Sequence, residues 1–525
     1  MKKMLTLTLA LTVLASVQLA AQMTRYLDPV FDEVTVDTDI PYATNISILT
    51  GSPMRETLML DLYTPTGDTE TNRPLVILFH TGNFLPQVAN GGVSGTREDL
   101  PVVECATRLA KLGYVCAVAD YRLGWNPVSS DINVRINTLI NAAYRGVQDA
   151  RSCVRFFRAD AIDGTNQYGI CPERVVYWGI GTGGYISTAA NALDSYGEIV
   201  LPKFIDTQTS LPFVIREVHG DPFGTQIGIN PANGDTLSLI NTPGYDYKSQ
   251  MAVNMGGAIG DTSWIDASDG AYIGFHVPDD PFAPYMEDIL TVPTTGDLIV
   301  EVQGSYTLMQ KVDALGLNSR FGTINDAFTT AANANNDGLE GLFPFLRPTS
   351  PNPFDPTVQE PEASPWDWWD SDFWSTQPHP NCPMGIPISV CNFDVISRIN
   401  NTDASPEKGN RYLDSIFGYF APRAYAHLNL VADFCAPVSV KENLTAQQVN
   451  LEVRPNPSAT DILFSTEVGS PMQVVEVYNL SGQLLRSSVV ENNQFTLSKG
   501  DLATGMYIAR IRFEDGVLTQ KLVFE

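Results

Sequence analysis

The sequence predicts an α/β protein with a mainly parallel sheet, followed by a small all-β unit. Three observations predict it. Short apolar runs alternate with longer amphipathic stretches through the first two thirds of the chain. One run, Leu75-Val76-Ile77-Leu78-Phe79, is continuously apolar, as a strand buried on both faces must be. Near the C-terminus the pattern changes to short alternating segments separated by turn residues, the spacing of a β sandwich.

The chain has 525 residues, enough for one large domain and a small one. A hydrophobic content of 44% excludes wholesale disorder. The 32 Lys and Arg against 59 Asp and Glu give a formal net charge of −27. That charge repels phosphate backbones and anionic lipid, so no nucleic-acid or membrane-surface partner is expected.

Residues 1–21 read as an export signal. Lys2 and Lys3 supply its positive end, Leu5 to Leu14 its apolar run, and Leu19-Ala20-Ala21 a small-residue cleavage site before Gln22. No later stretch approaches the roughly 20 apolar residues of a membrane helix. Export permits disulfides. Of the seven cysteines, Cys382 and Cys391 form the most plausible local pair, whereas Cys116 reads as a small buried hydrophobe. No Cys-x-x-Cys occurs, so zinc and redox motifs find no support, and no cofactor is expected.

Residues 22–57 read as a lead-in to a main domain over 58–435. Leu58, Leu60 and Leu62 alternate with polar neighbours, which predicts a half-buried strand. After the central run comes a helix from Glu98 to Leu112, stopped by Gly113. Tyr114 to Ala119 predicts a strand and Ile136 to Ala161 a long helix. Val175-Val176-Tyr177-Trp178 predicts a strand running into Gly179. Ile273-Gly274-Phe275 and Leu298 to Val302 are further strand candidates. Residues 200–250 read as an insertion or cap, 320–410 as loop-rich, and Asn410 to Phe420 as a closing helix. A polar linker over 436–451 precedes the β unit at 452–525.

The stretch Gly179-Ile180-Gly181-Thr182-Gly183-Gly184 is the most informative. Strand, Gly-x-x-x-Gly and helix are the frame of a nucleophile elbow, in which the central residue is lifted above the sheet. A working elbow places Ser there, and here the residue is Gly181. The main domain resembles the secreted carboxylesterase-like branch of the α/β-hydrolase fold over about residues 55–310. The resemblance also rests on Leu60-Asp61-Leu62-Tyr63-Thr64-Pro65, Asp120-Tyr121-Arg122-Leu123-Gly124 and Asp149-Ala150-Arg151. It implies an α/β-hydrolase-type sheet with insertions. It implies further that His80, Gly82 and Asn83 are the remnant of an oxyanion loop, and that Asp280, in Pro278-Asp279-Asp280-Pro281, stands at the acid position.

Acyl transfer on this scaffold needs a nucleophile, a base and an orienting acid. Gly181 offers no nucleophile. Thr182 is the substitute, although its side chain is expected to point away from a bound carbonyl. Ser187, on the following helix, is a weaker one. Of five histidines, His379 in Gln377-Pro378-His379-Pro380 is the remaining base candidate. The leading expectation is therefore a hydrolase scaffold that binds without turnover. A divergent ester hydrolase is the second.

A third reading is a cell-surface glycan binder or adhesin, with Trp366, Trp368 and Trp369 as a stacking platform for a glycan or other small molecule. The same tryptophans could instead pin a long loop. Asn333 to Pro344 partly matches a calcium loop but lacks the acidic twelfth residue, so an ordinary turn is expected. The acidic residues Asp266, Asp269, Asp279 and Asp280 could hold a cation, or be solvated loop carboxylates.

Residues 452–525 resemble the C-terminal sorting domain of type IX secretion. The matching pieces are Val453-Arg454-Pro455-Asn456-Pro457, Val477-Tyr478-Asn479-Leu480-Ser481-Gly482-Gln483, Gly505 to Arg510, and Lys521 to Glu525. The resemblance implies recognition by that secretion machinery and a final place outside the cell or on its outer-membrane surface.

Overall fold

An eight-stranded sheet carries the main domain of the computed structural model. Its strands are β1 (Val34–Ser47), β2 (Met54–Pro65), β3 (Arg73–Phe79), β4 (Val115–Ala119), β5 (Ile170–Ile180), β6 (Met251–Met255), β7 (Ala271–His276) and β8 (Leu342–Pro344). They lie in the order β1-β2-β4-β3-β5-β6-β7-β8. Only β2 runs against the rest, pairing antiparallel with β1 and β4. The structure describes residues 24–525 except 292–297, 383–384, 432–441, 444–445, 447–448, 468–470, 480–483, 501 and 514–515. The export signal, most of the linker with Cys435, and the turns at Ser481-Gly482 and Glu514-Asp515 lie outside the described residues.

The central strands follow from their composition. Every residue of β3, β4 and β6 is buried, which only a strand covered on both faces requires. The pleat divides β3 between two cores. Leu75, Ile77 and Phe79 face one, and Val76 and Leu78 the other. The first core is covered by helices α2 (Ile132–Asp163), α3 (Thr182–Ala192) and α4 (Ser305–Leu315). The second is covered by α1 (Leu100–Leu112) and α5 (Pro406–His427). Gly113 ends α1 as the sequence predicts, in the left-handed conformation (φ 105°) that a glycine adopts without strain. Among the described residues no helix is long and apolar enough to cross a membrane.

Three features depart from the sequence reading, and the tryptophan-rich segment takes the loop-pinning alternative stated for it. The lead-in is part of the sheet, since residues 34–47 form β1. Strands β6 and β8 are not anticipated; they are only five and three residues long, too short to show a period. Leu298–Gly304 does form a strand, but in a separate antiparallel sheet with Glu287–Thr291 and Ala258–Ile259. Trp366 and Trp368 are buried in the second core, where the Trp368 ring packs against Gly409 of α5. Trp369 is half-buried, with its indole N–H donating to Asp394 (2.8 Å) and the Arg398 guanidinium against its ring. These rings anchor a loop and leave no open stacking platform.

Cys382 and Cys391 are disulfide-bonded, and Cys105, Cys116 and Cys153 are free and buried. Residues 333–338 form a side-chain-bonded turn, with Asn336 buried at its centre and donating to the carbonyls of Leu339 and Leu342. The C-terminal unit has a five-stranded and a three-stranded sheet around its own core, which includes Ile462, Phe464, Val475, Val477, Ile511 and Leu522. Its longer strands are Asp461–Ser465, Met472–Tyr478, Leu484–Asn492, Gln494–Ser498, Gly505–Arg512 and Gly516–Phe524.

Candidate functional site

The elbow is sterically complete. Strand β5 ends at Ile180, and Gly181 takes φ 55° and ψ −117° before α3 begins. That conformation strains any residue with a Cβ. The Gly181 N–H donates to the Met255 carbonyl on β6 (2.8 Å), which fixes the apex to the sheet. The neighbouring glycines are needed for close approach: a Cβ on Gly179 would overlap the Gly183 carbonyl, and one on Gly183 the carbonyl of Phe79.

What is absent at the apex is replaced from across the site. A Cβ on Gly181 would overlap the Thr81 hydroxyl and stand 2.8 Å from Thr81 Cβ. The side chain of Thr81, in the loop after β3, thus fills the space a nucleophile would use. The same loop holds three successive residues at positive φ: Gly82 (121°), Asn83 (57°) and Phe84 (55°). It is held by Tyr121, whose hydroxyl donates to the His80 carbonyl (3.0 Å), and by Trp125, whose indole N–H donates to the Asn83 carbonyl (2.7 Å). His80 stacks on Tyr121 and bonds the Thr81 carbonyl (2.6 Å). Burial holds its pKa below the usual imidazole range, so it is a neutral structural group. The amides of Gly82, Asn83 and Thr182 have no acceptor among the described residues.

At the expected acid position, Asp280 has no free histidine beside it. Asp280 lies in the loop after β7 with its side chain only 2% exposed. Its Oδ1 accepts from the amides of Phe282 (2.8 Å) and Ala283 (3.2 Å). The other oxygen stands 3.7 Å from His276 Nε2, which instead donates to the Ala283 carbonyl (3.0 Å). His276 Nδ1 accepts from the Ser305 hydroxyl (2.8 Å). Both ring nitrogens are thus used, and burial pushes the pKa of His276 down to about 4. Burial acts on Asp280 in the opposite sense, pushing its carboxyl up to about 7.

His379 does not reach the site. Its Nε2 donates to the Gly91 carbonyl (3.1 Å) and its Nδ1 accepts from the Asn381 amide (3.1 Å), leaving no lone pair for a base. The expectation of a catalytic His379 is therefore corrected: the imidazole pins its proline-bounded loop to residue 91. Ser187 is buried against the carbonyls of Gly184 and Val253 (3.0 Å each) and is structural. Thr182 does line the site, and its hydroxyl is buried without a partner among the described residues.

These groups surround a cavity of about 320 Å³. Thr81, Gly82, Asn83, Gly181, Thr182 and Asp280 all line it. Apolar residues of α2, the 200–214 region and the small antiparallel sheet form its wall, among them Ile140, Val147, Phe204, Val214 and Val300. Of the described residues lining it, none is Lys, Arg or His. Two of the lining residues were missed from sequence. Thr81 was passed over as a loop residue because its contact with Gly181 is made only by the fold. Asp367 was hidden inside the Trp366-Asp367-Trp368 run; alternation there, with the tryptophans turned inward, is the signal that could have found it. Asp266 and Asp269 group with Asp194, away from Asp280.

The strand order, the elbow and the acid loop define an α/β-hydrolase fold with a C-terminal sorting unit. Residues 452–525 match the family described as the secretion system C-terminal sorting domain. That unit implies secretion and interaction with the type IX machinery. Among solved structures, the chain is similar to Thermogutta terrifontis esterase 2 phosphorylated by paraoxon, at 16% identity, TM-score 0.28, and 48% of this chain on 73% of that one. It is similar also to the propionate-bound form of that thermophilic esterase, at 17% identity, TM-score 0.26, and 44% on 70%. No curated protein matches the chain.

Proposed function

We propose that this is a secreted binding protein built on a hydrolase scaffold, taking up a small ligand in the elbow cavity without hydrolysing it. The observation that carries the reading is the pairing of Gly181 with Thr81. The apex lacks a nucleophile, and its space is already filled, so a nucleophile could not be restored there without moving the loop. The histidines support the same reading, because none lines the cavity. The sorting unit supports a role outside the cell or on its surface.

The buried, unpaired hydroxyl of Thr182 favours one competing reading, a divergent ester hydrolase using that threonine. Turnover of short p-nitrophenyl esters separates the two. The full chain is expected to show no release above background, and Thr182→Ala no change. Release that disappears in Thr182→Ala would overturn the binding reading.

A further inference from the structure

The charged groups of the cavity are unbalanced. Asp280 and Asp367 both line it, and no basic side chain does among the described residues. Asp280 Oδ2 has no hydrogen-bond donor, because the nearest one, His276 Nε2, is committed to Ala283. The Asp367 carboxylate makes no hydrogen bond or ion pair within the described structure, although its backbone is fixed by Ser364 and Asn401. A second, independent feature sits beside them. The hydroxyls of Thr182 and Tyr185 are buried without partners, and both residues line the same cavity. Buried polar groups are normally satisfied, and an unpaired buried carboxylate is costly. Two buried hydroxyls and two carboxylates without a cation, all lining one cavity, therefore point to a partner from outside the chain.

The surroundings define that partner. Most of the rest of the wall is apolar or aromatic, including Phe84, Trp125, Trp264 and Phe282, and its remaining polar side chains, such as Asn83, Asn90 and Ser94, are neutral. Two carboxylates disfavour an anion, despite the free amides of Gly82, Asn83 and Thr182. Calcium or magnesium needs six or more oxygens, and the one metal-like carboxylate group among the described residues is Asp194 with Asp266 and Asp269, elsewhere.

We propose that the cavity takes an organic cation, with an alkyl or aryl body on the apolar wall and an ammonium head that bridges Asp280 and Asp367 and offsets one of their two charges. Aromatic faces near the head add cation–π attraction. With one N–H to each carboxylate, the third ammonium N–H would reach one of the Thr182 and Tyr185 hydroxyls. This deepens the non-hydrolytic binding reading and rests on it.

Three probes with one chain length test the head group: n-octylamine, n-octanol and octanoate, each titrated calorimetrically into the full chain. Octylamine is expected to bind at least about tenfold tighter than octanol, and octanoate weaker than octanol. Asp367→Asn should remove most of the amine preference and leave octanol binding within about twofold. Asp280→Asn should do the same while keeping an oxygen for the amides of Phe282 and Ala283. Binding blind to the head group, tightest binding by octanoate, no binding by any probe, or full amine preference in both variants would overturn the proposal. Turnover of p-nitrophenyl octanoate by the same sample tests the parent reading alone, since its failure appears as released product whatever the head-group preference.

Discussion

Gly181 and Thr81 act as a pair, with one residue's lost side chain accommodating the other's. Placing Ser at 181 alone forces a Cβ into the Thr81 side chain and strains a left-handed apex, so Gly181→Ser should destabilise the protein by about 1–3 kcal/mol. Combining it with Thr81→Gly should recover part of that loss. A double-mutant cycle by denaturant unfolding is expected to show coupling of about 0.5–3 kcal/mol, whereas simple additivity would contradict the pairing. A second residue-scale prediction concerns Asp367. Burial, and the charges of Asp99 and Asp280, push its pKa up to about 7. The folded state therefore holds a proton that the unfolded chain releases near its ordinary pKa. In that window the unfolded state binds fewer protons, so this residue's contribution to stability falls as pH rises from about 4 to about 7. Asp367→Asn should match the natural protein in melting temperature below about pH 4 and exceed it increasingly toward neutrality. Equal melting temperatures at neutral pH would contradict this account. The missing serine was legible in the sequence because the elbow's glycine spacing marks the apex. The substitute occupant was not legible, because Thr81 reaches Gly181 only when β3 and β5 lie side by side.

At the scale of elements, the site is an arrangement of strand ends. The loops after β3, β5 and β7 converge because these strands run parallel within one sheet, and helix α2 closes the cavity from the side. The register of α2 depends on a fully buried ion pair, Arg122 with Asp149. Asp149 also accepts from the Arg122 backbone N–H (2.9 Å), and the Arg122 side chain donates to Gln148 (2.7 Å). Removing one partner leaves the other charged and buried, so Asp149→Ala should cost about 3–5 kcal/mol in chemical denaturation. A loss below about 1 kcal/mol would show that water reaches the pair. Both residues stood in motifs noted in the sequence, yet their contact could not be read there. The strongly periodic or wholly apolar elements, β3, β4, α1 and α2, were legible because burial dictates their composition. Strands β6 and β8 were not, since they are short and their pairing is decided by neighbours distant in sequence. His379 was proposed by elimination among five histidines, and elimination carries no geometry.

The whole molecule joins a main domain with a central cavity to a sorting unit. The sorting unit has its own core and its own sheets, so its removal should leave the main domain folded while abolishing secretion. Cells producing a chain without 452–525 should retain it, with none in the medium or on the surface; efficient release of the truncated chain would contradict that assignment. The central claim concerns the main domain: the scaffold binds and does not form an acyl-enzyme. Its most direct test is intact-mass spectrometry of the full chain after exposure to a fluorophosphonate that modifies activated serine and threonine hydroxyls. The account predicts an unchanged mass, under conditions that fully label an active serine esterase. A single stoichiometric adduct on Thr182, Thr81 or any other hydroxyl lining the cavity would contradict it.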